Sequence, residues 1–435
     1  MSRTRIVKGK ITEVVEKDYN IFSESNIIDN ATELVTEKGE TSGISYQNPS
    51  KPSAGEIRAK CIVQFRPHDK WSGEFGFDWI RMGDNDTGRR GDKYWYRDII
   101  GKYRNNKNQL FQVYDGGIFR KENTQYDNLL KEFNLFNITW KNDLYVVPVL
   151  SIMPNKKAKF TIKLEIKEEP KEIIYKINSK YYKLNKYSIS HIAVGKKTLY
   201  NDLEITSLTD HSSYEYLDVI AISKNDTEEV VGRIKINPNS IRYRKKVNIA
   251  LIKVKKGGSS EFMNFDINSR KKELTKYLNQ ALIEPIFETW DIKLNSMSRT
   301  EKNSFYRDYY SKGADSNEVM QNLNNIMHRT NAKFINYYKI YFLEESLGGL
   351  YGRCYDIGAP EKSVIVLTLG FNDSTVAHES LHAMSLFHTF DNDSKYTFLN
   401  FETDNIMDYS DIENRKFPVI STFSWQWKRL FNFLK

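Results

Sequence analysis

The sequence predicts a multidomain protein in which a β-rich front part, including a β-sandwich, is followed by an α+β domain. The chain has 435 residues, more than one typical domain needs. Its middle consists of short alternating runs rich in Ile, Val and Tyr, whereas apolar residues after about position 265 recur at helical spacing. Between these regions, KKGGSSEF (255–262) has the Gly and Ser content of a linker.

The front part divides into two predicted domains. Residues 1–155 mix short β-like runs with Gly-rich, charged segments, which favours an irregular β-rich domain for delivery or binding. Residues 156–256 contain about seven alternating runs, from KFTIKLEIKEE to KVNIALIKVKK. This pattern is typical of a β-sandwich resembling an immunoglobulin domain, although the Cys–Trp–Cys signature is missing. Residues 257–264 are the predicted linker.

Residues 265–435 form the predicted α+β domain. The segment SRKKELTKYLNQALIEPIFETW places Leu274, Leu278, Leu282 and Ile286 four residues apart, which predicts an amphipathic helix. The polar stretch SKGADSNEVMQNLNNIMHRT is also predicted to be helical. FINYYKIYFLEE and KSVIVLTLG have the composition of strands.

Composition and charge exclude several classes of protein. The net charge of +9 combines −3 in residues 261–435 (20 basic, 23 acidic) with +12 in the remainder (45 basic, 33 acidic). These charges are scattered along strands, which argues against a nucleic-acid partner. The sequence predicts no membrane span and no cleavable signal peptide, because long apolar runs are missing. Cys61 and Cys354 are too few for a disulfide framework and are predicted to be buried free thiols.

Three of the seven histidines lie within STVAHESLHAMSLFHTF (374–390). On a helix, His378 and His382 project from one face and can bind one Zn²⁺, while Glu379 reaches the water on the metal. If the helix continued, His388 would be rotated by roughly 240° and raised by about 9 Å relative to His382. A shared metal site therefore requires the helix to end near Ser385 and the chain to reverse.

This spacing resembles that of the metzincin zinc peptidases, with Ser385 where they have glycine. In TDNIMDYS, Met407 matches the Met-turn below the metal, and Tyr409 matches a tyrosine that in some metzincins reaches the zinc or the oxyanion. The resemblance covers roughly residues 265–435 and implies a metzincin-like zincin fold that binds extended substrate along an edge strand at KSVIVLTLG. A thermolysin-like site with Glu402 as the third ligand is the open alternative.

The resemblance implies a zinc-dependent metallo-endopeptidase that acts on a protein or peptide. Glu379 would be the general base on a zinc-bound water, with His378, His382 and His388 as the metal ligands.

The stretch KCIVQFRPHDKWSGEFGFDWIRMGD (60–84) and the strand-rich middle that follows it resemble the front portion of certain bacterial toxins carried by the type VI secretion machinery. This implies an effector made in the bacterial cytoplasm and secreted or injected into target cells. Its partners would be a component of the secretion apparatus and a cognate immunity protein. The alternatives are a non-toxin peptidase with β-rich exosite domains and a catalytically dead zinc-containing binding protein.

Overall fold

The computed structural model describes residues 59–83, 95–138, 140–255, 265–294, 297–300, 302, 303, 305, 316–346, 349–371, 374–411 and 418–434. Residues from 58 onward belong to one compact unit. Residues 1–58 and the predicted linker 257–264 lie outside the described residues. None of the described helices is long and apolar enough to cross a membrane.

Strands outnumber helices in the described part of the chain. The strands are β1 (Cys61–Pro67), β2 (Gly76–Asp78), β3 (Ile100–Arg104), β4 (Ile118–Lys121), β5 (Asn134–Ile138), β6 (Asp143–Val147), β7 (Val149–Ser151), β8 (Lys157–Ile166), β9 (Glu172–Lys176), β10 (Tyr182–Leu184), β11 (Gly195–Ser207), β12 (Glu215–Ile222), β13 (Glu228–Ile236), β14 (Lys245–Lys255), β15 (Ile283–Lys293), β16 (Tyr338–Leu343), β17 (Gly352–Cys354), β18 (Ser363–Val366) and β19 (Thr397–Phe398). The α-helices are α1 (Tyr96–Ile99), α2 (Asn123–Leu130), α3 (Ile267–Gln280), α4 (Ser316–Thr330), α5 (Thr375–Ala383) and α6 (Ser424–Phe433).

The described chain is rich in β-structure, and its first two sheets share a hydrophobic core. Their strand orders are β1-β8-β11-β10 and β2-β7-β13-β12-β9. The rings of Phe77 on β2 and Phe160 on β8 meet at 5.0 Å between the two sheets. Because β1, β2 and β7 precede residue 155, the predicted boundary between residues 155 and 156 falls inside this pair of sheets. The immunoglobulin-like assignment remains a prediction.

A third sheet, with the order β15-β14-β16-β18-β17, carries the candidate site. Strands β15, β14, β16 and β18 are mutually parallel, and β17 pairs antiparallel with β18 at the edge. The prediction that KVNIALIKVKK belongs to the sandwich is therefore wrong, because β14 lies in this sheet. Ile249 and Ile252 belong to different hydrophobic clusters on its two faces, which explains the continuous apolar run in β14.

The single helix predicted over residues 269–290 is wrong in its second half. Helix α3 begins after Asp266, whose carboxylate accepts a hydrogen bond from Asn268 N, and it ends at Gln280. Leu282 has φ +58°, and Ile286 lies in β15. Pro285 in this segment disfavours a helix interior but is tolerated in an edge strand. The prediction of a helix in the Asn-rich stretch is confirmed by α4.

The edge of the third sheet lies beside α5. The sequence predicts the substrate-binding edge at KSVIVLTLG, but β18 is an inner strand and β17 forms the edge. A side chain at Gly352 of β17 would place its Cβ 2.6 Å from Thr375 Cγ2 on α5, so the close approach requires glycine. Cys61 and Cys354 are both buried and free, as predicted.

Candidate metal centre

Helix α5 brings two of the three histidines together. His378 and His382 are buried, and their Nε2 atoms are 3.1 Å apart. The separation of four residues places them on the same face of the helix. The structure thus brings together two of the side chains predicted to bind the metal.

The chain reverses direction immediately after α5. Ser385 has φ +81°, a left-handed conformation that glycine adopts more easily than serine. Its N–H bonds to the His382 carbonyl at 2.8 Å, and Leu386 N–H bonds back to the Leu381 carbonyl at 2.9 Å. These bonds end the helix in the manner of a Schellman turn. The predicted reversal is therefore confirmed.

The C-terminal helix supports this reversal. The Nε atom of Arg429 on α6 donates to the Ser385 carbonyl oxygen at 2.6 Å and to its Oγ at 3.0 Å. The same guanidinium lies 4.8 Å from the ring centroid of Phe387. Arg429 thus contributes a charged donor to a strained turn, which offsets part of the cost of a left-handed serine.

The reversal places His388 at the other two imidazoles. His388 Nε2 lies 3.0 Å from His382 Nε2, and one ligand atom from each of the three residues falls within 4.8 Å of the others. Within the described residues, this is the group of three able to hold a metal ion, and Glu402 is not part of it. The described geometry therefore favours His388 over Glu402 as the third candidate ligand.

Hydrogen bonds fix the orientation of all three rings. His378 Nδ1 donates to the Ile406 carbonyl and His382 Nδ1 to the Leu386 carbonyl, both at 2.7 Å. His388 Nδ1 donates to Asp391 Oδ2 at 3.0 Å. Because each Nδ1 faces an acceptor oxygen and carries a proton, each Nε2 is left to face the shared centre.

Three nitrogen lone pairs at these distances repel one another, because none of them carries a hydrogen to donate. A cation bound between them would remove this repulsion. Nitrogens bound tetrahedrally to Zn²⁺ at about 2.0–2.1 Å lie roughly 3.3 Å apart, close to the observed 3.0 and 3.1 Å. Burial lowers the pKa of His378 to about 3 and the pKa of His382 well below its usual value. Both rings are therefore neutral, the form that binds metals, and the residues fit a metal ion.

Glu379 follows His378 on α5 and is not part of this group of ligand atoms. Its Oε2 accepts a hydrogen bond of 2.8 Å from Cys354 N on the edge strand β17. Burial raises the pKa of Glu379 to about 7, although the Cys354 hydrogen bond and the charge of Arg353 oppose the shift. A carboxyl group with a pKa in this range is suited to accepting and returning protons near neutral pH.

The turn containing Met407 is hydrogen-bonded to one of the histidines. Besides the bond between Ile406 and His378, Asn405 Oδ1 accepts from Met407 N at 2.9 Å. The carboxylate of Asp408 accepts from Phe401 N and Thr403 N, both at 2.9 Å. Asn405 and Asp408 therefore stabilise the turn. The Met407 side chain is fully buried in the hydrophobic cluster that also contains Leu381 of α5.

Tyr409 contacts two of the three histidines. Its hydroxyl lies 2.8 Å from His388 Nε2, where it can donate to the lone pair. Its ring stacks on His378 with the centroids 5.3 Å apart. A hydroxyl at this position is available to a group bound at the centre.

A buried arginine from the front part also holds the Met407 turn, and the sequence did not reveal it. Arg81 lies just after β2 and is fully buried; its Nη2 donates to Asp404 Oδ1 at 3.0 Å, and its Nη1 donates to Asp78 Oδ1 at 3.2 Å. The guanidinium stacks 3.6 Å above the ring of Trp79. Arg81 and Asp404 are 323 positions apart, so no local pattern could have joined them.

Comparisons with known proteins give likenesses to solved structures at low identity. No family model and no curated protein matches the chain. Among solved structures, metalloproteinase-II from Bacteroides fragilis is similar at 15% identity, covering 71% of this chain and 95% of its own, with a TM-score of 0.28. A chaperone–substrate complex is similar at 9% identity, with a TM-score of 0.26. The likeness covers 56% of this chain and 39% of the chain in that complex. Scores this low do not establish a shared fold.

Proposed function

We propose that this chain is a zinc-dependent metallo-endopeptidase of the metzincin type. The observation that carries the proposal is the convergence of three Nε2 atoms, from His378, His382 and His388, with Glu379 on the same helix as the first two. Three neutral imidazoles are a catalytic rather than a structural donor set, because they leave a fourth position open. The fitting metal is Zn²⁺, which favours such a tetrahedral nitrogen site.

The residues of the candidate site would have separate roles in peptide hydrolysis. The zinc ion would supply a Lewis acid and make a water molecule acidic near neutral pH. Glu379 takes the proton of the attacking water and returns it to the leaving amine, because its raised pKa suits both steps. While Oε2 is held by Cys354 N, Oε1 remains for this proton. Asp391 keeps the His388 ring in the orientation that presents Nε2.

Tyr409 is the candidate electrophilic donor. Its hydroxyl donates to His388 Nε2 in the described geometry. If His388 Nε2 held a metal ion, the Tyr409 hydroxyl would be free to donate to the oxyanion on the substrate carbonyl. Such a preorganised donor stabilises the transition state more than the ground state.

The test combines metal analysis with proteolysis. The purified chain should contain one zinc ion and cleave an unstructured protein, and a chelator should abolish cleavage until zinc is restored. Glu379→Gln should retain zinc without cleaving, whereas His382→Ala should lose zinc. Zinc without cleavage in the unaltered chain would instead support the catalytically dead binding protein.

The role as a type VI effector, with an immunity protein as partner, remains a prediction from the sequence of the front part. Expression in bacterial cells separates it from an ordinary peptidase. An effector should be toxic in the compartment of its target, and Glu379→Gln should remove the toxicity. An active enzyme that harms no bacterial compartment would contradict the effector role.

A further inference from the structure

A segment of the front part, residues 103–114, is hydrogen-bonded to the loop that follows His388. Asn392 Nδ2 donates to the carbonyls of Tyr103 and Phe111 at 2.9 and 3.0 Å, and Asn392 Oδ1 accepts from Tyr103 N at 2.9 Å. Gln112 Nε2 donates to Asp393 Oδ2 at 3.0 Å, and its Oε1 accepts from Asn392 N at 3.1 Å. Strands β3 and β19 also pair directly. The segment is thus held in a defined position beside the metal centre.

These contacts bring Tyr114 to the edge of the histidine group. Its ring lies 6.0 Å from His388 and 5.8 Å from Phe390 between centroids, both in edge-to-face geometry. Phe390 in turn stacks on His388 at 4.7 Å and contacts Tyr409 at 5.3 Å. Tyr114 is therefore one member of an aromatic group that includes a candidate metal ligand.

Despite these contacts, Tyr114 is 62% exposed. The same segment exposes Leu110 and Phe111, so it presents apolar surface near the centre. A tyrosine ring held by neighbouring rings offers contact area to a ligand at little cost in conformational entropy. Exposed apolar surface beside a candidate catalytic group is where a polypeptide substrate would be recognised.

We propose that Tyr114 is a specificity-determining residue whose ring borders the bound substrate on the His388 side of the candidate metal centre. There it contacts a large apolar side chain of the polypeptide next to the cleaved bond. This inference rests on the proposed peptidase function. It implies that residues of the front part contribute to the active site directly, rather than serving delivery alone.

The experiment compares two peptides that differ only in one side chain beside the cleaved bond, leucine in one and glycine in the other. For Tyr114→Ala, kcat/KM should fall about tenfold on the leucine peptide, mainly through KM, and by less than about twofold on the glycine peptide. Tyr114→Phe should stay within about twofold of the unaltered chain on both peptides, because the ring makes the contact. Zinc content should not change in either variant.

Tyr200 on β11 provides a matched control, because it is also 62% exposed. Tyr200→Ala should leave both peptides unaffected. Equal losses on the two peptides, or a Tyr114→Phe variant as impaired as Tyr114→Ala, would overturn the specificity role. Faster cleavage by Tyr114→Ala would also overturn it, since the ring would then obstruct the site.

These outcomes are separable from failure of the proposed function. If the unaltered chain binds zinc and cleaves both peptides while Tyr114→Ala behaves like it, only the specificity role fails. If the unaltered chain neither binds zinc nor cleaves, the peptidase proposal itself fails, and the role of Tyr114 fails with it.

Discussion

Substituting Arg81 by methionine should destabilise the fold and the turn beneath the histidines. Arg81 is fully buried between the carboxylates of Asp78 and Asp404, both of which are buried too. Burial raises the pKa of each carboxyl group, and the charge of Arg81 opposes that rise. Without the guanidinium, two buried acids face each other with no cation between them.

The expected loss in the free energy of unfolding follows from this geometry. Removing one partner of a buried ion pair costs about 3–5 kcal/mol, because the remaining charge stays desolvated. Whole domains are stable by only about 5–15 kcal/mol, so the variant should lose a large fraction of its stability. Methionine retains part of the contact with Trp79, which confines the change mainly to electrostatics.

Urea unfolding followed by tryptophan fluorescence measures this loss. Lys157→Met is the control, since Lys157 bonds to Glu204 at 2.7 Å but is 63% exposed at its side chain; its effect should be much smaller. Adding Asp404→Asn to Arg81→Met should recover part of the stability, because it removes one unpaired acid. A loss for Arg81→Met no larger than the control would refute the reasoning.

Three further substitutions test the roles assigned at the metal centre. Glu379→Gln should bind zinc normally yet lose nearly all hydrolysis; full activity in a peptide-cleavage assay would remove Glu379 as the base. Asp391→Asn should weaken zinc binding about 10- to 100-fold in a competition titration with a chelator, because it loosens the His388 ring. Unchanged affinity would argue against that orienting role. Tyr409→Phe should keep zinc and lower kcat about a hundredfold, and an unaltered kcat would exclude the hydroxyl as an oxyanion donor.

The histidine group could be predicted because most of its geometry is local. The periodicity of a helix alone places His378 and His382 on one face. The position of His388 required one more inference, that the chain reverses at Ser385, and the φ of +81° there bears it out. Asp391, three residues beyond His388, is local as well, but a lone aspartate in a loop gives no signal of its role.

Long-range contacts were beyond the reach of the sequence. Arg81 and Asp404 lie on segments that only the complete fold brings together, and the same holds for Tyr114 and His388. Neither pair has a spacing or a motif that could be recognised. The sequence therefore assigns the front part to delivery or binding, whereas in the fold it contacts the candidate metal centre.

The errors in the predicted fold also have a physical cause. Strand β14 alternates at its ends and is apolar through its centre, so its sequence fits both a sandwich strand and an inner strand of a parallel sheet. Only its partners, β15 and β16, distinguish the two. In the segment 269–290, apolar residues every four positions continue past the helix end, and Pro285 is the signal against it.

X-ray absorption at the zinc edge of the purified, active protein tests most directly whether His378, His382 and His388 hold one metal ion. We expect one zinc per chain with three imidazole nitrogens at about 2.0–2.1 Å, and loss of one nitrogen or of the metal in His388→Ala. A protein that cleaves peptides without zinc, or whose zinc spectrum is unchanged by His388→Ala, would contradict the account.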